Sequence, residues 1–334
     1  MRRAVDDRRQ PGQFILTGSA VPADDVTRHS GAGRIVRIRM RPMSLFESGH
    51  STGAVSLGAV MAGKLPDGAV SSLSLRDAVD RLCVGGWPAL QHLQPGAAQS
   101  VLVSYLDDVA RVDVSALDNN GTRRDPARVR RLMTSLARHV STEVSAAGLA
   151  RDVGDDGAPL WKETVSEYLD ALERLMVVEN QPSWGPHLRS RDVVRRSPKR
   201  HFVDPSLAAA ALGASAERLM RDPMTLGFMF ESMVIRDLRI YAQSLGGQIL
   251  HYRDSAGSEV DAIVTLPDGS WAAVEVKLGA SRVDEAAKSL DRFVRKVNVE
   301  QAGEPVARLV VTAGEYAFVR PDGVIVTPIG LLGP

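Results

Sequence analysis

The sequence predicts a mixed α/β and α chain of several domains, on three observations. The last third sets a helix, three strands, a second helix and a further strand in that order. The middle carries amphipathic helices followed by a hairpin pattern, and near the start two short apolar segments read as strands. With 334 residues there is room for two or three compact domains of ~100–200 residues each. Composition divides the chain into segments 1–60, 61–120 (a helical linker), 121–205 and 206–334.

Hydrophobic residues are 44% and charged residues 24%, as in soluble globular proteins. Lys and Arg total 41 against 40 Asp and Glu, a net charge of +1, so any anion or nucleic-acid site must be a local patch. The single cysteine, Cys83, excludes an intramolecular disulfide framework and a cysteine-rich zinc site, and suits a reducing cytoplasm. No apolar run approaches the ~20 residues of a membrane helix. The opening MRRAVDDRRQ lacks an apolar signal core. The expectation is a cytoplasmic chain with no membrane partner.

Phe14-Ile15-Leu16 followed by Thr17-Gly18-Ser19 reads as a buried strand whose polar end would meet a ligand, as strands do in nucleotide-binding α/β domains. Residues 34–40 alternate basic and apolar side chains like a half-exposed strand. Two strands cannot bury a core alone, so this segment must pack on other residues. Residues 48–68 are rich in Gly, Ser and Ala without a period. Residues 73–83 read as a helix stopped by Gly85-Gly86-Trp87-Pro88, and 101–112 as another.

Between 126 and 140, Val129, Leu132, Met133, Leu136 and Val140 form one apolar face. Helices at 146–151 and 162–176 follow, and then Val177-Val178-Glu179 and His201-Phe202-Val203 bracket a polar stretch. Three helices and a hairpin in that order suggest a winged helix-turn-helix. Arg189, Arg191, Arg195, Arg196, Lys199 and Arg200 read either as a wing on DNA phosphates or as a solvated loop. The helix that would enter a groove carries Glu163, Glu167, Asp170 and Glu173. That acidic face would repel DNA and fits a spacer or a surface for self-association or a protein partner.

In the last third a helix at 224–244 precedes strands at 248–253, 259–266 and 271–278. The turn Pro267-Asp268-Gly269-Ser270 joins the latter two strands. A helix at 283–297 leads to a strand at 307–312. Glu275 and Lys277, two apart on a strand, share a face, and Asp261 lies on the preceding strand. Two such carboxylates can hold Mg²⁺, which needs few protein ligands, and a neighbouring lysine can orient a water. Glu231 sits on the packed side of the upstream helix with Val234, Ile235 and Leu238. A buried carboxylate needs a metal or a cation as partner. Taken singly, Glu275 and Lys277 also read as a solvated strand face and Asp261 as a local cap.

Acid on a helix, then Asp, then Glu-x-Lys in the order αβββαβ resembles the PD-(D/E)xK restriction-endonuclease-like superfamily. That resemblance implies Mg²⁺-dependent DNA cleavage with Glu231, Asp261, Glu275 and Lys277 as catalytic residues, Asp261 and Glu275 as metal ligands, and Glu231 completing the shell. A non-enzymatic alternative is a DNA-docking or protein-interaction module whose acids are held by a cation such as Arg253 or Arg292.

A second resemblance covers nearly the full length. Residues 12–19 (GQFILTGS), Gly33-Arg34-Ile35 and residues 41–47 (RPMSLFE) are similar to the later part of the ATPase domain in a prokaryotic AAA-family group of predicted ATPases. Residues 199–205 (KRHFVDP), Gly227-Phe228-Met229-Phe230-Glu231, Glu259-Val260-Asp261 and Val274-Glu275-Val276-Lys277 resemble that group's C-terminal domain of unknown function. The resemblance places Thr17 or Ser19 as a nucleotide-sensing residue. It also implies a P-loop and Walker B strand ahead of Phe14, which these residues lack. The expected N-terminal segment is therefore a remnant of an AAA domain, with ATP a cofactor only if an N-terminal half is present. Residues 58–65 (GAVMAGKL) mimic a P-loop, but Leu65 stands where a hydroxyl must bind Mg²⁺.

Overall fold

A computed structural model describes residues 2–8, 10, 12–19, 35–113, 125–154, 160–186 and 197–334. The helices and strands run α1 (Arg2–Arg8), β1 (Val55–Ser56), α2 (Leu57–Met61), β2 (Ala69–Val70), α3 (Leu75–Val84) and α4 (Pro95–Asp108). There follow α5 (Pro126–Arg138), α6 (Ala146–Val153), α7 (Lys162–Arg174), α8 (Pro205–Leu212), α9 (Ala216–Arg221) and α10 (Pro223–Ser244). The C-terminal third is β3 (Gln248–Arg253), β4 (Glu259–Thr265), β5 (Trp271–Lys277), α11 (Val283–Lys296), α12 (Val299–Ala302), β6 (Ala307–Thr312), β7 (Tyr316–Val319), β8 (Ile325–Pro328) and β9 (Leu332–Gly333).

Helix starts follow local chemistry. Asp125, Asp204 and Asp222 each accept a backbone N–H with their side chain, and each precedes a proline that opens the helix. Aspartate satisfies an otherwise unpaired donor there, and proline has no N–H to leave unpaired. Ser74 and Asp77 cap α3 reciprocally.

The seven-stranded sheet has the order β2-β7-β8-β6-β5-β4-β3. β3, β4 and β5 form an antiparallel meander, and β5, β6 and β8 are parallel. A parallel neighbour requires a crossover, which α11 supplies between β5 and β6. The order helix, three strands, helix, strand is thus present from α10 to β6.

Each sheet face has its own core. Ala262, Val264, Ala272, Val274, Val276, Leu309 and Val311 pack with α10 in the larger one. Val260, Ile263, Trp271, Ala273, Val310 and Val326 pack with Leu290 and Phe293 of α11 in the smaller one, where Trp184 also lies. Alternation along β5 places Ala272, Val274 and Val276 on one face and Trp271 and Ala273 on the other.

The larger core also takes in Leu45, Leu82, Leu102, Leu132, Leu172 and Leu207. It therefore runs across the boundaries expected at 60, 120 and 205. Residues 61–120 do not form a linker, because α3 and α4 bury Leu82, Leu102 and Leu106 around the alanine-rich α8. Residues 51–56 close on the last strand. β1 pairs in parallel with β9, the Ser51 hydroxyl donates to the Leu332 carbonyl (2.7 Å), and the Thr52 N–H donates to the Gly330 carbonyl (3.0 Å).

The strands expected at 14–16 and 34–40 are not formed among the described residues, and Ile15 (92%), Val36 (88%) and Ile38 (79%) are exposed. Among the described residues neither segment has a neighbouring strand to pair with, which corrects the expectation of AAA-type strands there. Residues 58–65 fall on α2 and the turn after it, with no buried strand leading in. Among the described residues no helix is long and apolar enough to cross a membrane.

The middle region has α5, α6 and α7 followed by antiparallel bridges Val178 to Phe202 and Gln181 to Lys199, as the three-helix-plus-hairpin pattern predicts. Beyond the Gln181–Lys199 bridge the first strand of that hairpin runs onto the sheet. Ser183 pairs in parallel with His251 of β3, and the Trp184 N–H donates to the His251 carbonyl (2.6 Å). The hairpin thereby extends the sheet.

Candidate functional site

The site begins with an irregularity in β4. Leu250 pairs with Ile263 and Tyr252 with Val260, so Asp261 and Ala262 together face His251 alone. A β-bulge of this kind re-aims a side chain, and here it turns Asp261 toward the end of β5. The pairing of β4 with β5 stops at Ala262 and Val274. Asp261 Oδ2 takes over the next backbone donor, accepting the Val276 N–H at 2.8 Å. The carbonyls of Leu250 and Asp261 both accept from the Gln181 side-chain amide, at 3.0 and 2.9 Å. Gln181 is wholly buried, and its Oε1 lies 3.0 Å from His201 Nε2.

Glu275 and Lys277 continue the row begun by Trp271 and Ala273, and Lys277 Nζ donates to Glu275 Oε2 at 2.6 Å. It also lies 3.5 Å from Asp261 Oδ2. Lys277 Nζ thus bridges Glu275 Oε2 and Asp261 Oδ2, so the two acids meet at one lysine.

The partner of Glu231 is a lysine. Lys199 Nζ, its side chain 1% exposed, lies 2.8 Å from Glu231 Oε1, 2.8 Å from Glu259 Oε1 and 3.5 Å from Asp261 Oδ1. It reaches there because the hairpin strand carrying it is bonded to Gln181 on both sides of the peptide, at 3.1 and 2.9 Å. This corrects the expectation that Lys199 lies on a basic loop against phosphates. Arg200 is also buried, donating to Asn180 Oδ1 (2.9 Å) and the Val144 carbonyl (3.3 Å). A side chain enclosed in this way has no face left for DNA. Arg189, Arg191, Arg195 and Arg196 lie outside the described residues. Arg253, 4.0 Å from Glu259 on the exposed side, is not the cation that enters the cluster.

Glu231, Glu259, Asp261 and Glu275 thus face Lys199 and Lys277, with Arg253 at the rim beside Glu259. Burial pushes Glu231 up to about 8 despite Lys199. Burial and the adjacent Asp261 push Glu275 up to about 8. Asp261 is also buried, but Lys199, Lys277 and the Val276 N–H hold it below the usual carboxylate range. Both lysines are raised, because their carboxylate partners outweigh the burial that opposes their charge. Strongly shifted groups gathered in one place are characteristic of functional sites.

Asp261 and Glu275 are the two carboxylates that could take Mg²⁺, which binds through one or two carboxylates and keeps its waters. Glu231 is held by Lys199 as Glu275 is by Lys277, so a cation would have to displace a lysine at either acid. Among the described residues no group of three or more His, Cys, Asp or Glu side chains is arranged to hold a metal ion. The expected third carboxylate of the shell is therefore replaced by a lysine–glutamate pair.

Thr17 and Ser19 are exposed in a segment without strand pairing and do not stand at a strand end as a nucleotide sensor would. His251 is wholly buried, with Nδ1 3.5 Å from Glu143 Oε1. Two surface clefts of about 530 and 640 Å³, one bordered by Arg138, Arg218 and Phe228 and the other by Arg76, Gln99 and Glu217, share no residue with the carboxylate cluster. Gln181 carries no motif of its own; only its place in a short polar stretch beside Pro182 and Ser183 marks a change from helix to hairpin.

Residues 226–332 match the family model of DUF4143, a domain of unknown function found in AAA-ATPase-associated proteins. Residues 75–218 match DUF8612, also a domain of unknown function. No curated protein and no solved structure matches the chain. Glu231, Glu259, Asp261, Glu275 and Lys277 come from the first of these segments, and Gln181, Lys199 and His201 from the second. The chain is thus similar to DUF8612 over its middle and to DUF4143 over its C-terminal third, and one charged cluster draws on both.

Proposed function

We propose that this cluster is a nuclease-like centre for Mg²⁺-dependent hydrolysis of DNA phosphodiesters, in a module associated with an AAA-family ATPase. The observation that carries the reading is the meeting of Asp261 and Glu275 beside Lys277 at the splayed ends of β4 and β5. Asp261 and Glu275 would hold the cation, which supplies Lewis-acid stabilisation of the charged phosphorus centre. Lys277 orients the attacking water and offsets charge developing on the phosphoryl oxygens. Lys199 neutralises Glu231 and Glu259 and keeps Asp261 ionised, which is the state a ligand must have. The Val276 N–H and Gln181 fix the bulge from which Asp261 projects.

The test is cleavage of a DNA duplex with Mg²⁺ or Mn²⁺, comparing the wild type with Lys277→Ala and Glu275→Ala. Loss of cleavage in both variants is expected. Unchanged cleavage in both would trace the activity to a contaminant and end the assignment.

The burial of Lys199 among three carboxylates favours a second reading, a non-cleaving docking or interaction module whose acids are satisfied internally. Calorimetric titration separates the two. Uptake of Mg²⁺ that disappears in Glu275→Ala supports the first, and no uptake of Mg²⁺ or Mn²⁺ by the wild type supports the second. The link to AAA-family ATPases is supported by the match over residues 226–332 and by the sequence resemblance of residues 12–47. ATP enters only through such an association.

A further inference from the structure

A second charge cluster, of the opposite sign, lies farther along α10. Glu179 is the meeting point of three guanidinium groups. Arg41 grips it as a fork, Nε to Oε2 at 3.1 Å and Nη2 to Oε1 at 2.6 Å. Arg39 Nη1 lies 3.1 Å from Oε1, and Arg239 Nη1 lies 4.0 Å from Oε2. Arg41 Nη1 also donates to Gln243 Oε1. The neighbouring Arg200 and Glu173 feel one another, and Glu173 accepts from Asn180 and has Asp170 on its own helix. Four arginines thus face two buried or half-buried carboxylates, Glu179 and Glu173, with exposed Asp170 at the edge.

The surplus is unusual for this chain. One turn earlier on α10, Arg236 is balanced by two aspartates, Asp204 at 2.9 Å and Asp237 at 2.7 Å. Arg239 has a shared glutamate instead, 4.0 Å away, and among the described residues its buried Nη2 has no hydrogen-bond partner; Arg236 Nη2 makes no well-aligned hydrogen bond either, but it lies 2.7 Å from Asp237 Oδ1. Its side chain is 7% exposed, Arg41 15% and Arg39 33%, so the cluster deepens from an accessible rim to an enclosed floor. An uncompensated buried cation is costly. Three planar forks around one acceptor suit a tetrahedral oxyanion, which takes paired N–H donors from arginine.

We propose that Arg39, Arg41 and Arg239 form a binding site for a phosphate group, which enters beside Glu179 from the Arg39 side. The phosphate oxygens accept from Arg39 and from the unpaired Nη2 of Arg239, while Glu179 holds Arg41 in place and competes for the same donors. A small phosphate ester and the backbone of a nucleic acid share this chemistry. The site stands whether or not Asp261 and Glu275 cleave DNA, and those two residues are untouched in every variant below.

The experiment is calorimetric titration of the full chain with inorganic phosphate at constant ionic strength, for wild type, Arg39→Gln, Arg39→Lys and Glu179→Gln. Arg39→Gln should weaken binding about tenfold or more, the worth of a charge-assisted hydrogen bond. Arg39→Lys should fall between, and Glu179→Gln should tighten binding by removing the internal competitor. A purely structural cluster predicts the reverse for Glu179→Gln, loss of stability with no gain in affinity. Should that variant not fold, the two Arg39 variants decide, because Arg39 is at the rim. Wild type that takes up no phosphate at millimolar concentration, or Arg39→Gln that binds as tightly as wild type, overturns the site. In a second arm a DNA duplex is the probe. Phosphate displacing the duplex, with both weakened by Arg39→Gln, upholds the site with a nucleic-acid source. Phosphate bound without the duplex upholds it with a small ester as source.

Discussion

The carboxylate cluster around Lys199 and the guanidinium cluster around Glu179 sit on opposite sides of neutrality. Both hang on α10, through Glu231 and Arg239, eight residues or about 12 Å apart along the helix axis. In the first, one buried cation serves three acids. In the second, one acid serves three cations. His201 lies between them. Burial depresses its pKa first, and then the charges of Arg239 and Lys199 depress it further, so the imidazole stays neutral. The difference teaches that the charge balance read from the whole chain conceals two local imbalances, each inviting a ligand of the missing sign.

The largest expected effect comes from removing the scarce charge. Lys199→Met leaves Glu231, Glu259 and Asp261 without their common cation and should cost about 3–5 kcal/mol of folding stability at neutral pH. The loss should shrink in acid, where Asp261, ionised at neutral pH, takes up a proton; urea unfolding at two pH values measures it. An equal loss at both would mean that Lys199 serves packing and not charge.

The pH dependence should run in opposite directions for the two clusters. Glu231 has a folded pKa of about 8, above its ordinary value. The folded state therefore binds the extra proton, and stability falls as pH rises from about 4.5 to 8, by on the order of a few kcal/mol. Glu179 is held down to about 2 despite its burial, by Arg239, Arg41 and Arg39. Its contribution is present above about 4.5 and is lost as pH falls toward 2. Glu231→Gln should reduce the first slope, leaving the share of Glu275, and Glu179→Gln should reduce the acid one, leaving the share of Asp261, as followed by thermal unfolding across pH.

Gln181→Ala should cost about 2 kcal/mol, the worth of two buried carbonyls left without donors. It should also lower the affinity for Mg²⁺ by loosening Asp261, and a full-affinity variant would separate the bulge from the site. The smallest change is expected for Arg239→Met, which removes a cation already in surplus. Burial and the neighbouring arginines depress its pKa to about 10, so the loss should stay below about 1 kcal/mol. A loss as large as that of Lys199→Met would erase the contrast between the clusters.

Much of the C-terminal site was legible in sequence because it rests on short periods. Glu275 and Lys277 two apart on a strand must share a face, and Glu231 among Val234, Ile235 and Leu238 must be packed and need a partner. The identity of that partner was not legible. Lys199 stands at the end of a run of arginines that reads as one solvated loop, and only the pairing with Gln181 turns it inward. The bulge at Asp261 was invisible because a strand pattern does not reveal where an extra residue is inserted. The guanidinium cluster joins residues 39, 41, 179 and 239, so no local window contains it. The strands expected at 14–16 and 34–40 failed for a tertiary reason: apolar alternation marks a strand only where a neighbour supplies hydrogen bonds.

The pairing of β1 with β9 has a consequence for how the chain reaches its fold. Residues 51–56 take their long-range hydrogen-bond partners among residues 330–334, so this part of the structure cannot close until those residues have been synthesised. Until then Val55 and Leu57, both fully buried in the finished protein, are exposed. Contacts between residues so distant in sequence also slow folding, because the loop must close before they form. The segment is therefore a late-locking clasp.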